Sequence, residues 1–394
     1  MSIGDGILVG LAALALVPVA VLAVETLAAF LPLRRRTFEN CRRPNCAVLV
    51  PAHNEEIGIA ATVAALRLQL LGADRLVVIA DNCTDGTVAA AREAGAEVVE
   101  RNDPERRGKG YALDFGLRHI EASPPDIVVC IDADTRALPG SIEFLIRTAQ
   151  HTNQPTQGAF TDSPKMRGPR EQWSAFALTL KNLVRPRGLD RLGLPCLLTG
   201  SGMAFPWSVI RKVGLANGSI VEDMHFGVDL ALAGHPPVFC GEARFESDDA
   251  PTAAAMIVRR TRWEHGHVST LLGKAPRLLL AGLIGLRPRL AALALELSVP
   301  PLSLLLLLLT ALLAISLGWF VAGGSPLPAL MLSAGLLAGA ASVVAAWWKF
   351  GRALLAPTTL FLLPVYVLWK VPIYLRLATA PERKWVRTQR SAVA

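Results

Sequence analysis

The chain has 394 residues, 52% of them apolar, with mean hydropathy +0.41 and formal net charge +8. That length leaves room for one large soluble domain plus membrane spans, and an apolar excess gathered at the two ends excludes an ordinary soluble enzyme. Much of the positive charge borders apolar segments, at Arg34, Arg35, Arg36, Arg42 and Arg43 and in the tail at Arg383, Lys384, Arg387 and Arg390, which points to anchoring at a membrane surface and not to nucleic acid.

Residues 7–33 carry one charge, Glu25, and exceed the roughly 20 apolar residues that a span needs. Basic residues follow this stretch instead of preceding it, so it is predicted to be a signal anchor with its carboxyl end in the cytoplasm. From about 45 to 245 the pattern alternates. Ala47 to Val50 is a short strand ending at Pro51, and 57–71 has helical spacing. Leu76 to Ala80 is a strand, 85–94 a helix leading to Gly95, Val98-Val99 a short strand, 109–120 a helix and Ile127 to Ile131 a strand. Such alternation predicts an α/β domain with a mostly parallel sheet covered by helices. Pro and Gly clusters at 103–110, 164–169 and 186–195 predict loops, which are places for a substrate lid. Residues 253–289 mix Arg259, Arg260, Arg262, Lys274, Arg277, Arg287 and Arg289 with apolar runs and predict interfacial helices. Three apolar blocks follow at 290–321, 327–348 and 353–378. Three full spans there would put the basic tail outside, against the positive-inside tendency. The third block holds Pro357, Pro364, Pro372, Lys370 and Arg376, so it is expected to be broken or interfacial, with the tail cytoplasmic. Six cysteines without a CxxC pair, with Cys83 and Cys130 beside acidic motifs, argue for a reduced catalytic part and against a disulfide framework.

The acidic motifs occur in a fixed order. Asp81 ends one apolar run and Asp132-Ala133-Asp134 another; Glu222-Asp223 and then Arg259-Arg260-Thr261-Arg262-Trp263 come later. Carboxylates at the carboxyl ends of buried strands sit where open α/β sheets place ligands. Two of them one residue apart can hold a hard divalent cation against a diphosphate. Two readings stay open for Pro51 to Glu56: a ligand-facing loop, or acidic residues complementing a helix amino end. Asp81 to Thr87 likewise fits either a site or a capped turn. Arg107-Gly108-Lys109-Gly110 offers a cation and free backbone N–H groups to phosphate, without the P-loop pattern. The set suggests chemistry on a nucleotide-activated substrate at a membrane face.

PAHNEE at 51–56, ADNCTDGT at 80–87, GKGYALDFGL at 108–117, DAD at 132–134, TGSGMAFP at 199–206, ED at 222–223 and RRTRW at 259–263 together resemble the membrane-bound family 2 glycosyltransferases. This is the GT-A (nucleotide-diphospho-sugar transferase) group that includes cellulose, hyaluronan and poly-N-acetylglucosamine synthases and ceramide glucosyltransferases. One departure is Ala80, where many members carry a further Asp. The resemblance implies that Glu55 and Asp81 contact the nucleoside and that Lys109 sits near the donor ribose or phosphate. It makes Asp132 and Asp134 the pair that binds Mg2+ or Mn2+, with Asp134 the more direct ligand. Asp223 would be the general base and Arg262 would face the diphosphate leaving group. Trp263, Glu222 and Gly200-Ser201-Gly202 would border the acceptor. The organisation expected is a signal-anchor helix and basic linker at 1–44, a cytosolic GT-A domain at 45–250, interfacial helices with the Arg-x-x-Arg-Trp motif at 251–289, and transmembrane or interfacial helices at 290–394.

Displacing a nucleoside diphosphate from an anomeric carbon builds negative charge that a divalent cation and a guanidinium stabilise. One base without a protein nucleophile implies single displacement with inversion. The activity expected is transfer of one sugar from a nucleotide sugar, with uridine the expected base, to a lipid or lipid-linked acceptor. It would serve exopolysaccharide, capsule or glycolipid synthesis at a bacterial-type plasma membrane, with the catalytic domain on the cytoplasmic side. Polysaccharide-assembly proteins or a second copy are the partners to consider. Two alternatives stand beside it, a processive polysaccharide synthase and an inactive membrane scaffold. His265 and His267 suggest a zinc site less well than acceptor contacts, since residues at i and i+2 do not share a helical face. Glu296, a charge in an apolar block, is a functional candidate by default.

Overall fold

In a computed structural model of the chain, the described residues are 2–32, 36, 38, 42–163, 168–216, 219–247 and 253–379. Arg34, Arg35, most of the expected loop at 164–169 and the basic tail lie outside them. The elements run α1 (Ile3–Ala28), β1 (Cys46–Ala52), α2 (Ile59–Arg67), β2 (Arg75–Asp81), α3 (Thr87–Glu93), β3 (Glu97–Arg101), α4 (Lys109–Ile120), β4 (Ile127–Cys130), β5 (Thr135–Ala137), α5 (Ser141–Thr152), β6 (Thr156–Asp162) and α6 (Pro169–Thr179). A π-helical turn, Leu180–Val184, joins α6 to α7 (Arg185–Arg191). Then come β7 (Met203–Pro206), α8 (Trp207–Ile210), α9 (Glu222–Leu232), β8 (Val238–Ser247), α10 (Ala253–Ile284), α11 (Pro288–Ser298), α12 (Leu302–Val321), α13 (Leu327–Ala346), α14 (Pro357–Leu360) and α15 (Leu363–Thr379).

Eight strands form one sheet in the order β3-β2-β1-β4-β7-β6-β8-β5. β3, β2, β1 and β4 are parallel neighbours, as the apolar runs of the sequence predict. Beyond β4 the sheet turns mixed: β7 runs antiparallel to both β4 and β6, β8 is parallel to β6, and β5 is antiparallel to β8. Strands buried on both faces have no polar side, which is why they appear as unbroken apolar runs. In β1, Ala47 and Leu49 face Ala112, Leu113 and Leu117 of α4, while Val48 and Val50 face Ile59, Val63 and Leu66 of α2.

α1, α12 and the stretch Leu327–Gly351 are long and apolar enough to cross a membrane. The block at 290–321 is two helices, because Pro300-Pro301 breaks it between α11 and α12. The last block is also broken, into α14 and α15, as its prolines predict. Asp5 accepts hydrogen bonds from Trp319 Nε1 (2.9 Å) and the Ser325 N–H (2.8 Å), which ties the start of α1 to the turn between α12 and α13.

The loop expected at 186–195 is mostly helix. Pro186 has no N–H to donate and its ring crowds the preceding turn; the widened π turn at Leu180–Val184 absorbs both, so the helix continues into α7. Helix α7 then packs backbone to backbone on α1: a Cβ on Gly188 would lie 1.9 Å from the Glu25 carbonyl oxygen. Arg185 pairs with Glu25 at 2.5 Å and donates to the Glu296 carbonyl at 2.9 Å, joining α1, α7 and α11 in one buried contact. The Glu25 carboxylate thus serves packing of α1 on α7, whereas Glu296 contributes its backbone carbonyl to that contact. Two arginines expected to lie on lipid are turned onto the domain instead. Arg36 pairs with Asp190 at 2.6 Å, and Arg43 pairs with Asp74 at 2.8 Å and Glu143 at 2.6 Å.

Candidate active site

Parallel pairing sets the carboxyl ends of β1, β2 and β4 at one edge of the sheet, and the motifs at 51–56, 80–87 and 132–134 emerge there. The loops after β1 and β2 each turn through a left-handed asparagine, Asn54 (φ 55°) and Asn82 (φ 53°), a conformation Asn tolerates better than most residues. The loops are laced together. Asn54 Oδ1 accepts from the Thr84 N–H (2.7 Å), Glu56 Oε2 from the Gly86 N–H (2.5 Å), and Thr87 Oγ1 from the Glu55 N–H (2.7 Å). Glu55 is half-buried in this lip. Asp81 closes β2 with one carboxylate oxygen held by Arg101 Nη1 (2.6 Å) and Asn82 Nδ2 (2.9 Å). Burial pushes the Asp81 carboxyl up against the pull of Arg101.

Lys109, the first residue of α4, ion-pairs with Asp132 and donates to the Gly200 carbonyl. Burial opposes its charge, yet Asp132, Glu222 and Asp223 hold it above the ordinary lysine range. The same grouping appears from Asp132, whose carboxyl is pushed up by burial and by Asp134 and Asp223. Glu222 and Asp223 occupy the first turn of α9, where a helix amino end favours carboxylates. Burial and the adjoining Asp223 push Glu222 up to about 7. Three acidic side chains, Asp132, Glu222 and Asp223, therefore surround one lysine, and exposed Asp134 lies beside Asp132.

The loop between α7 and β7 closes this cluster. Gly200 (φ 98°) and Gly202 (φ 67°) adopt left-handed backbone that favours glycine. A Cβ on Gly200 would lie 3.2 Å from Asp223 Oδ2, so the chain passes directly against that carboxylate. Ser201 Oγ accepts from the Asp132 N–H (3.0 Å) and donates to Thr135 Oγ1 (2.9 Å). Buried Gln157 in β6 holds the loop from both amide ends: Nε2 donates to the Ser201 carbonyl (2.9 Å) and Oε1 accepts from the Thr199 N–H (2.8 Å).

α10 carries the last motif. Arg259 and Arg260 both reach Asp162 at 3.6 Å and lie against the Trp263 ring, 5.0 and 5.2 Å from its centroid. Arg262 is half-buried between Thr261 and Trp263. Arg260, Trp263, Glu264 and His267 recur at helical spacing and line one cavity of about 260 Å³. Its other walls are apolar, from α1, α6, α12, α13 and α15, and Lys181 of the π turn faces it. Glu264 pairs with Lys370 of α15. His267 is neutral, pushed down to about 3 by burial and by Lys181 and Arg185. His265 bonds to the Ile373 carbonyl at 2.8 Å, so the two histidines serve different contacts.

Among the described residues no three His, Cys, Asp or Glu side chains are placed to hold a metal by themselves. Asp132 and exposed Asp134 nevertheless suit an ion shared with a diphosphate, since such ions take one or two carboxylates and complete their shell with phosphate and water. The five described cysteines are free. Gln157 and Lys181 were not singled out in the sequence. Gln157 lies in a strand whose periodicity is weak, and the only local signal at Lys181 is a cation among Leu178, Leu180, Leu183 and Val184.

Comparison with known proteins agrees with this architecture. A mannosyltransferase from Pyrobaculum calidifontis, solved with GDP-Man and Mn2+, shares the fold at TM-score 0.54 and 21% identity, over 88% of this chain and 98% of its own. Glucosyl-3-phosphoglycerate synthase of Mycobacterium tuberculosis is 38% identical over 94 residues, 22% of this chain and 28% of that protein. The probable glycosyltransferase YdaM of Bacillus subtilis is 23% identical over 242 residues, 58% of this chain and 56% of YdaM. The alignments thus span about a quarter to a little over half of these curated relatives. The model of "glycosyltransferase like family 2" matches residues 44–266, more than half of the chain, and the chain belongs to that family.

Proposed function

We propose that the chain is an inverting glycosyltransferase that moves one sugar from a nucleotide-diphospho-sugar to a lipid-linked acceptor at the membrane face. The observation that carries this reading is the cavity. Part of its wall comes from α1, α12 and α13, which are long and apolar enough to cross a membrane, and its polar lining includes the Arg260, Trp263, Glu264 and His267 face of the family's last motif. A hydrocarbon chain suits such walls, and a single chain suits about 260 Å³ better than a growing polymer does.

Glu55 and Asp81 would hold the nucleoside, and Lys109 would neutralise phosphate. Asp134 and Asp132 would hold Mg2+ or Mn2+, which when bound offsets charge on the departing diphosphate. Arg262 would add a guanidinium there. Asp223 would take the proton from the acceptor hydroxyl as that oxygen bonds to the anomeric carbon. The bond from that carbon to the diphosphate breaks, and the nucleoside diphosphate leaves with its electron pair. Asp223 suits this role because the Gly200 turn passes close against its carboxylate. Gly200, Ser201, Gly202, Glu222 and Trp263 would then border the acceptor.

Gly339 lines the cavity, with Val19 Cγ1 the nearest atom to an added Cβ, at 3.9 Å. The Cβ of Gly339→Leu is therefore accommodated, and the rest of the side chain should take up cavity volume. Transfer to a long-chain acceptor should fall while slow hydrolysis of the donor by water persists. Full transfer by this variant would place the acceptor elsewhere.

A further inference from the structure

Resting on that reading, we infer that Lys181 reads a phosphate lying between the hydrocarbon tail of the acceptor and its accepting hydroxyl. Other cations lining the cavity have acidic company: Arg185 has Glu25 at 2.5 Å, Lys370 has Glu264, and Arg260 has Asp162 at 3.6 Å. The Lys181 side chain makes no hydrogen bond or ion pair among the described residues. A buried ammonium that makes no ion pair and stands near Arg185 and Arg260 is costly unless a ligand answers its charge.

Its position sets the order of the ligand's parts. Lys181 faces the cavity, and its charge is also felt by Asp223, the base of the proposed reaction. Burial, Arg185 and Arg260 weaken its charged form, and Asp223 and Glu264 favour it. Tail in the cavity, anion at Lys181 and hydroxyl at Asp223 is the sequence of groups in a phospholipid with a hydroxylated head or in a prenyl-diphosphate-linked saccharide. It is not that of ceramide or diacylglycerol, whose hydroxyl stands next to the tail. The π turn presents the lysine here, and such turns recur at functional sites.

The test uses the full chain in phosphatidylcholine nanodiscs with labelled nucleotide sugars. Acceptors would be a prenyl-diphosphate-linked monosaccharide, phosphatidylglycerol, ceramide and diacylglycerol. The parent chain should glycosylate one or both phosphate-bearing acceptors and neither neutral one. Lys181→Gln should raise KM for that acceptor about tenfold or more, leave donor KM and donor hydrolysis unchanged, and be largely rescued by Lys181→Arg. Preference for a neutral lipid, or an unchanged acceptor KM in Lys181→Gln, would overturn the inference while leaving lipid-directed transfer standing. A raised donor KM would assign Lys181 to the donor diphosphate and also overturn it. Transfer to soluble acceptors alone would instead bring down the lipid-directed reading on which it rests.

Discussion

Gly200→Ala tests whether the close turn at Gly200 positions Asp223. The substitution acts twice. At φ 98° an alanine leaves its allowed backbone regions, at a cost of about 1–2 kcal/mol. Its Cβ would also stand 3.2 Å from Asp223 Oδ2 and 3.8 Å from Lys109 Nζ, tighter than ordinary contact at the first of these. The carboxylate must yield by a few tenths of an ångström. Since a displacement of about 1 Å in a reacting array can cost about 10²-fold, kcat should fall roughly two- to fivefold. The unfolding midpoint should drop by about 2–6 °C. Gly193→Ala is the matched control, because Gly193 has φ 70° and nothing within 4 Å of an added Cβ. It should lower the midpoint and leave kcat alone. Initial rates at saturating donor and acceptor, with melts in the same detergent, would decide. Equal kcat in both variants would refute the argument that Gly200 positions Asp223.

Asp223→Asn keeps the shape of the side chain and removes the proposed base, so kcat should fall about 10²–10⁴-fold with donor affinity nearly intact; unimpaired turnover would remove Asp223 from that role. Asp134→Ala should weaken donor binding measured with Mn2+ present and have little effect with EDTA, and an unchanged affinity in Mn2+ would take Asp134 out of the metal site. Burial and Asp223 raise Glu222 to about 7 from an ordinary 4.5, so the folded chain keeps a proton that the unfolded chain has lost. The stability contributed is complete below pH about 4.5 and is lost as pH rises through about 7. Glu222→Gln should accordingly gain in melting midpoint over the parent chain across that window and hold a constant lead above it. A pH-independent difference would mean that Glu222 titrates as it does in water.

Helix α4 was legible at both ends because Gly108-Lys109 opens it and its apolar positions keep helical spacing as far as Ile120. Strands β1, β2 and β4 were legible because burial on both faces leaves no polar residue to interrupt them. The mixed half of the sheet was not. β6 begins Thr156-Gln157-Gly158, and its polar residues answer long-range demands, namely the carbonyls of the Ser201 loop, that no local pattern displays. Pro186 misled for a related reason. Proline signals a break, and only the three-dimensional chain shows a widened turn accommodating it. Of the site, the sequence offered Asp132, Glu222, Asp223 and Lys109 as separate candidates, and only the folded chain shows the three carboxylates grouped around the lysine. Lys181 was passed over because a lysine in an apolar run acquires meaning only once the run is seen to line a cavity.

The most direct measurement is mass spectrometry of the acceptor lipid after turnover by the purified chain in nanodiscs with a nucleotide sugar and Mn2+. A solvent-extractable product heavier by a single sugar residue is expected, with none formed in EDTA or by Asp223→Asn. A ladder of additions, or a high-molecular-weight polymer with the lipid unchanged, would contradict it and indicate a processive synthase.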